Sequence, residues 1–428
     1  MTNNFSESNF MTKPNFFHFK IIIFFTFLFC TSFSTSIAQS TQLKSGDYQF
    51  RIHRTDGHDI VFNTIVKDSV GKKIMYIKNG SNRLLVDSIV SGNDSLYIEL
   101  PYFESGFAAK VNSDGNLSGD WIKKSGDNIR RMPFNAIYGE SKRFAISKKA
   151  NHNVSGRWDV TFKDGSLSTK SVGQFVQKGN QITGTFLTPY GDYRFLEGVV
   201  SGDSIYLSGF DGSYALAFTA SIKNDKEINI GKFYSGTQPP QTWSGIKNSK
   251  AALNEAFTMT TIKDGAAKVV FTYPDTDGKM VSINQPPYKG KVVVIQIMGS
   301  WCPNCLDETK FMVEKYPYYN KLGVEFLGFA FERTDDFERS AKSLQPFLKN
   351  FKPPYPILVP PVAVSDSLMT EKTFPQLDKI KAFPTSIFID KNGYIAKVHA
   401  GFDGPATGEQ YEKYKKEFDE ILKKMLAE

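Results

Sequence analysis

The sequence predicts a multidomain chain, with an antiparallel all-β region of two similar units followed by an α/β domain. Three observations predict it. From Gly46 to about Lys247, short runs alternate apolar and polar residues and break at Gly, Asn and Asp. Segments of that stretch return after about 110 residues, the length of a small domain. Beyond Ser249, apolar runs of strand length alternate with helical patterns, as they do in an α/β domain.

Composition agrees and removes other classes. A chain of 428 residues fits two or three domains. Hydrophobic residues at 40% and charged residues at 22% exclude a disordered or fibrous chain. Aromatics reach 14%, which leans toward strands. The net charge of +8 is spread without a basic stripe or tail, so no nucleic-acid partner is expected. Three cysteines are too few for a disulfide-stapled scaffold.

The elements follow in order. Lys13 and Lys20 precede an apolar run, Ile21 to Phe29, and then small and polar residues ending Ser36-Ile37-Ala38 before Gln39. That is the pattern of a secretory signal peptide over 1–38, cleaved before Gln39. The apolar run is well short of the ~20 residues that span a bilayer, so the membrane is expected to be met only if the segment stays uncleaved. Cys30 follows Phe29 rather than the small residue that lipid attachment needs, and is expected to leave with the signal. The mature chain would keep two cysteines, Cys302 and Cys305, in an oxidising space such as the periplasm or cell envelope.

The all-β region reads as unit one over 44–145 and unit two over 150–248. Strands such as Tyr48-Gln49-Phe50-Arg51-Ile52 and Trp158-Asp159-Val160-Thr161-Phe162 alternate cleanly, and Asp-Gly or Asn-Gly turns recur at hairpin spacing. Val90-Ser91-Gly92-Asn93-Asp94-Ser95-Leu96-Tyr97 returns as Val200-Ser201-Gly202-Asp203-Ser204-Ile205-Tyr206. Phe107 to Val111 returns as Phe218 to Ile222, and Gly119-Asp120-Trp121 as Gly231-Lys232-Phe233. His53 and His58 flank a turn with too few neighbours for a metal site and read as surface residues.

The α/β domain is placed at 255–428. Val292 to Met298 is a near-continuous apolar run, expected of a buried central strand. A helix from Cys302 to Tyr319, a strand from Val324 to Phe331 and a helix from Thr334 to Asn350 follow, with Thr334 as N-cap. A short strand Ile357 to Val359 lies among prolines. Ser386 to Asp390 and Ile395 to His399 form a hairpin around Lys391-Asn392-Gly393. The last helix runs from Thr407 to Leu426, opened by a capping box of Thr407 and Gln410.

The chemistry is carried by Trp301-Cys302-Pro303-Asn304-Cys305, where a buried strand hands over to a helix. Cysteines at i and i+3 on a first helical turn approach closely enough to form a disulfide. The helix N-terminus stabilises a thiolate on the first of them. Pro303 suits the first turn because its missing N–H would have no partner there. Cys302 is therefore expected to be the exposed nucleophile and Cys305 the resolving thiol. A zinc half-site would need a second ligand pair, and a c-type haem site would need His where Leu306 stands. A structural disulfide over so short a loop would constrain the unfolded chain little. No metal or organic cofactor is expected, the redox-active pair being the working group. Trp301 beside the nucleophile is expected to shape the substrate surface.

Gly299-Ser300-Trp301-Cys302-Pro303-Asn304-Cys305 resembles the active site of the thioredoxin superfamily, and more narrowly that of TlpA/ResA-like periplasmic thiol–disulfide oxidoreductases. The resemblance covers about 260–428 and leaves the β region outside. It implies a thioredoxin-like fold for the α/β domain and exchange with protein thiols and disulfides, supplied by an upstream electron donor. It implies that Phe383-Pro384-Thr385 is the cis-proline element that faces the disulfide and guides substrate backbone. It also implies that Glu308 is the acid of the Cys-x-x-Cys-x-x-Glu pattern, against the plainer reading of a solvated helix-face carboxylate. Thioredoxin carries a buried acid in the preceding strand where this chain has Gln296, so proton handling would fall to Glu308 or water. The pair Pro303-Asn304 lacks a histidine, and a reductant or moderate exchanger is expected. The alternative is an envelope binding or recruitment protein whose β region is the functional part. The intact cysteine pair with Pro384 favours the enzyme.

Overall fold

The computed structural model describes residues 42–92, 95–253 and 259–428. The segment read as a signal peptide, 1–38, lies outside them together with Cys30. Among the described residues no helix is long and apolar enough to cross a membrane.

Nine strands form the first antiparallel sheet: β1 (Gly46–Ile52), β2 (Ile60–Ser69), β3 (Lys72–Asn79), β4 (Asn82–Val86), β5 (Ser88–Ser91), β6 (Ser95–Glu99), β7 (Ser105–Val111), β8 (Leu117–Ser125) and β9 (Asn128–Tyr138). Their order is β4-β3-β2-β1-β9-β8-β7-β6-β5, so the first strand pairs with the last. The alternation read from the sequence explains the inner face: Tyr48, Phe50 and Ile52 are all buried. Phe50 stacks on Phe62 and Phe134 in that core.

The second sheet repeats this plan with β10 (Gly156–Asp164), β11 (Leu167–Lys178), β12 (Gln181–Thr188), β13 (Gly191–Asp192), β14 (Leu196–Ser201), β15 (Ser204–Phe210), β16 (Ala215–Asn224), β17 (Glu227–Ser235) and β18 (Gln241–Lys247). Again the first strand pairs with the last, and β11–β12 together with β12–β14 pairing closes the sheet on itself. The recurring segments fall on corresponding strands: Phe107 to Val111 on the seventh strand of one sheet and Phe218 to Ile222 on the seventh of the other. The two Gly-x-aromatic triplets fall on the eighth. The sheets also share a core, since Phe210 of β15 stacks on Phe62 at 4.2 Å between ring centres. Arg143, buried between them, donates to the Ser208 carbonyl at 2.9 Å.

After a small hairpin, β19 (Thr272–Pro274) and β20 (Met280–Ser282), the α/β domain follows. It comprises β21 (Val292–Met298), α1 (Pro303–Lys321), β22 (Val324–Ala330), α2 (Phe337–Phe351), β23 (Ile357–Leu358), α3 (Met369–Thr373), β24 (Thr385–Ile389), β25 (Ile395–Ala400) and α4 (Glu409–Ala427). The sheet order is β23-β22-β21-β24-β25, with β21, β22 and β23 parallel, β24 antiparallel to β21 and β25 antiparallel to β24. Every residue of β21 is buried, because apolar clusters cover both faces of the sheet. One face holds Phe311, Met312, Phe326 and Phe418, and the other Ile295, Ile297, Leu327 and Phe329.

Two caps differ from the sequence reading. Helix α2 starts at Phe337, and Asp336 rather than Thr334 caps it, its carboxylate accepting from the Arg339 N–H at 2.7 Å. At the last helix, Thr407 belongs to a separate 3-10 turn, Pro405–Thr407, and its hydroxyl is spent on the Gly404 carbonyl. The capping box with Gln410 therefore does not form, and α4 begins after Gly408 with no side-chain cap.

Candidate active site

The loop between β21 and α1 leaves the carboxyl end of a central parallel strand, where loops of α/β sheets gather reactive groups. Cys302 is the N-cap of α1: its backbone is extended, and its sulfur accepts from the Cys305 N–H at 3.3 Å. Pro303 follows as the first helical residue. Cys302 and Cys305 form a disulfide, with Cα atoms 5.3 Å apart. The Phe383–Pro384 peptide is cis, and the Phe383 carbonyl oxygen lies 3.6 Å from the Cys302 sulfur. Sequence positions 81 apart thus meet at one sulfur. Thr385 is buried and its hydroxyl donates to the Ala382 carbonyl at 2.8 Å, so its side chain holds the turn.

Trp301 closes one side. Its ring meets Phe383 at 5.2 Å between centres, the Arg333 guanidinium stacks over it at 4.3 Å, and its N–H donates to the Phe331 carbonyl at 3.0 Å. The residue before it is pinned by an acid the sequence reading missed. Glu332 accepts from the Ser300 N–H at 2.8 Å and from its hydroxyl at 2.7 Å. Burial pushes the Glu332 carboxyl up to about 7, against those two hydrogen bonds. Its signal in the sequence was position: it stands just past the end of β22, beside the loop that ends β21.

Glu308 is fully buried, which overturns the reading of a solvated surface acid. Cys305, Glu308 and Met312 lie at i, i+3 and i+7 of α1, the face that packs on the sheet. One Glu308 oxygen accepts from the Ser386 hydroxyl at 2.8 Å and the Tyr414 hydroxyl at 2.9 Å. Burial raises its pKa to about 7, and these bonds hold it from going further. Gln296 occupies the middle of β21, donating to the Cys305 carbonyl at 3.1 Å and accepting from Thr309 at 2.8 Å. Tyr414 had been legible only as part of an apolar stripe, and its hydroxyl tip is the part that matters here.

The expectation of an exposed nucleophile fails. Cys302 is 4% exposed and Asn304 is equally buried. Phe383 and Cys305 lie against the Cys302 sulfur, and the β region packs on the motif beside it: the Ser213 hydroxyl donates to the Trp301 carbonyl at 3.2 Å, and Asn304 abuts Gly191. Trp301 and Asn304, on either side of Cys302-Pro303, are thus both met by the second β unit.

Chemically, the arrangement can hold a thiolate at a helix N-terminus, pass a disulfide between two sulfurs, and exchange a proton with a buried carboxyl that titrates near neutrality. Among the described residues no group of His, Cys, Asp and Glu could hold a metal ion.

Known proteins are similar to the C-terminal part of the chain. The Redoxin family profile matches residues 259–414. The thiol–disulfide oxidoreductase ResA of Bacillus thuringiensis subsp. konkukian is 33% identical over 146 residues, 34% of this chain and 73% of that protein. ResA of Geobacillus thermodenitrificans is 28% identical over 142 residues, 33% of this chain and 72% of the relative. A thioredoxin-family thiol:disulfide interchange protein from Chlorobium tepidum, solved by crystallography, aligns with 38% of this chain and 99% of its own at 23% identity and a TM-score of 0.29. The Cys302–Cys305 disulfide lies inside the matched region, and through its C-terminal domain the chain belongs to the ResA-like family of thiol–disulfide oxidoreductases in the thioredoxin superfamily.

Proposed function

We propose that the protein is exported and exchanges electrons with protein substrates through Cys302-Pro303-Asn304-Cys305, as a reductant or moderate exchanger. The observation that carries this reading is the sulfur of Cys302, which caps α1, is bonded to Cys305 and lies beside the carbonyl that precedes cis-Pro384.

In the reduced protein the Cys302 thiolate attacks one sulfur of a substrate disulfide. A mixed disulfide forms and the other substrate sulfur leaves as a thiolate, which takes up a proton. The Cys305 thiol loses its proton and attacks the Cys302 sulfur, releasing the second substrate thiol and leaving the Cys302–Cys305 disulfide. A dithiol donor reverses the sequence and resets the pair. Glu308, one turn beyond Cys305 and titrating near 7, is suited to hold the proton that Cys305 gives up. Trp301, Phe383 and Pro384 form the surface against which substrate backbone would lie, with Pro303 and Asn304 shaping its edges and buried Thr385 holding the turn. Export rests on the basic, apolar and small-residue pattern of 1–38.

The test is trapping in the native envelope. A Cys305→Ser variant should accumulate mixed disulfides with protein partners on Cys302, released by dithiothreitol. A Cys302→Ser variant should trap none. Equal trapping by both variants would reject the division of roles.

A further inference from the structure

We propose that the β region is a cap that shuts the Cys302–Cys305 centre, latched by Arg194, and that partners reach the disulfide only when the cap opens. This rests on the reading of the pair as an exchange centre and adds its control.

Four contacts carry it. Arg194, at the end of the β12–β13 hairpin, makes a two-pronged ion pair with Asp307 of α1, at 2.8 and 2.7 Å. Asp307 lies two residues beyond Cys305. The third arm of the same guanidinium holds Asp211, in the turn between β15 and β16, at 2.8 Å, so one largely buried cation ties the cap to the helix that bears the cysteines. Burial works against its charge, but Asp307 and Asp211 outweigh burial and keep it protonated. Next to it, Asp192 accepts from the Gly404 N–H at 2.9 Å. The Ser213 hydroxyl reaches the Trp301 carbonyl, and Ser213 is itself fixed by Lys123 of the first sheet at 2.8 and 2.9 Å. Glu104, in the loop between β6 and β7, pairs with Arg339 of α2 at 3.2 and 3.0 Å.

The backbone is shaped for this closure. Gly191 has φ +136°, and a Cβ there would collide with the Asn304 amide, so the hairpin fits against the motif only because the residue is glycine. Arg194 holds φ +55°, an uncommon conformation for a residue with a side chain, kept where its surroundings over-determine it. Both departures fall at the contact with the redox motif. A protein substrate needs access to Cys302, and a residue 4% exposed in a motif that a hairpin abuts offers little.

The experiment uses the full mature chain in the oxidised state. Reduction of Cys302–Cys305 by dithiothreitol is followed by acid quench and thiol counting, in the parent and in Arg194→Ala and Gly191→Gln. Breaking a buried ion pair is strongly unfavourable to the closed form, so Arg194→Ala should accelerate reduction about tenfold or more. Gly191→Gln should do the same by wedging the hairpin off Asn304. The thiol fraction at equilibrium in a fixed glutathione buffer, which reads the centre itself, should change less than the rate. Circular dichroism checks folding, and the Gly191 variant keeps the test decisive if Arg194→Ala is poorly folded. Acceleration in either folded variant supports the cap. Rates equal to the parent in the folded variants overturn it. Failure of the exchange reading would look different: the parent and both variants alike would reduce no insulin disulfide even once their own pair is reduced.

Discussion

Tyr414, in the C-terminal helix, donates a 2.9 Å hydrogen bond to Glu308, the buried carboxyl one turn beyond Cys305. Two segments 106 residues apart are thereby joined at an acid that titrates near neutrality. Burial of the acid is a cost to the fold, and in the proposed function the acid is also a proton store for the thiols.

The cost has a sign that can be measured. Glu308 titrates near 4.5 when unfolded and near 7 in the fold, so between those values the folded state holds the extra proton. Its contribution to stability is best below about 4.5, declines as pH rises toward 7 and is flat above. Glu308→Gln removes the ionisation. Urea unfolding should find the variant more stable than the parent at pH 8, by roughly 3 kcal/mol at most, with the advantage gone by pH 5. A difference independent of pH would contradict this assignment.

The same acid should tune the redox pair. A charged carboxylate near the cysteines disfavours a thiolate, makes the dithiol easier to oxidise and lowers the potential. Since Glu308 becomes charged only as pH passes about 7, Glu308→Gln should raise the potential more at pH 8 than at pH 6. Thiol counting in dithiothreitol or glutathione buffers measures it. The parent is expected nearer thioredoxin, about −270 mV, than the strong oxidants at about −120 mV; a value above about −150 mV would reject a reductant.

Glu332 should matter to the loop before Cys302. Glu332→Ala leaves the buried Ser300 N–H and hydroxyl without their acceptor, at a cost of roughly 1–3 kcal/mol. Trp301 should gain freedom, seen as a change in its fluorescence and in the rate of Cys302 alkylation in the reduced protein. Unchanged stability and alkylation would leave Glu332 without a positioning role.

Processing is open to a direct mass measurement. Protein recovered from its native envelope should begin at Gln39, given the small residues Ser36 and Ala38. A chain that retains 1–38, or that carries lipid on Cys30, would contradict soluble export.

Local rules made much of this molecule legible. Strict alternation announced β1 and β10, and an unbroken apolar run announced β21, since each pattern reports which faces are covered. The redox motif was legible because i, i+3 cysteines at a strand-to-helix junction have few other uses. What stayed hidden depended on packing between distant segments. Glu308 could not be told from a surface acid until α1 was set against the sheet beside Ser386 and Tyr414. Glu332 carries no motif, and its partner Ser300 is 32 residues away. The contacts of Gly191 with Asn304 and of Ser213 with Trp301 come from a region the redox motif does not reach. The capping box failed because Thr407 had a nearer acceptor in Gly404.

The most direct test of the central claim is turnover by the full mature chain in an insulin-reduction assay with dithiothreitol as the dithiol donor. The parent should accelerate precipitation of the insulin B chain over dithiothreitol alone, and Cys302→Ser should return the rate to that background. Activity indistinguishable from background in the parent and in Arg194→Ala and Gly191→Gln alike, or activity that survives Cys302→Ser, would contradict exchange through this pair.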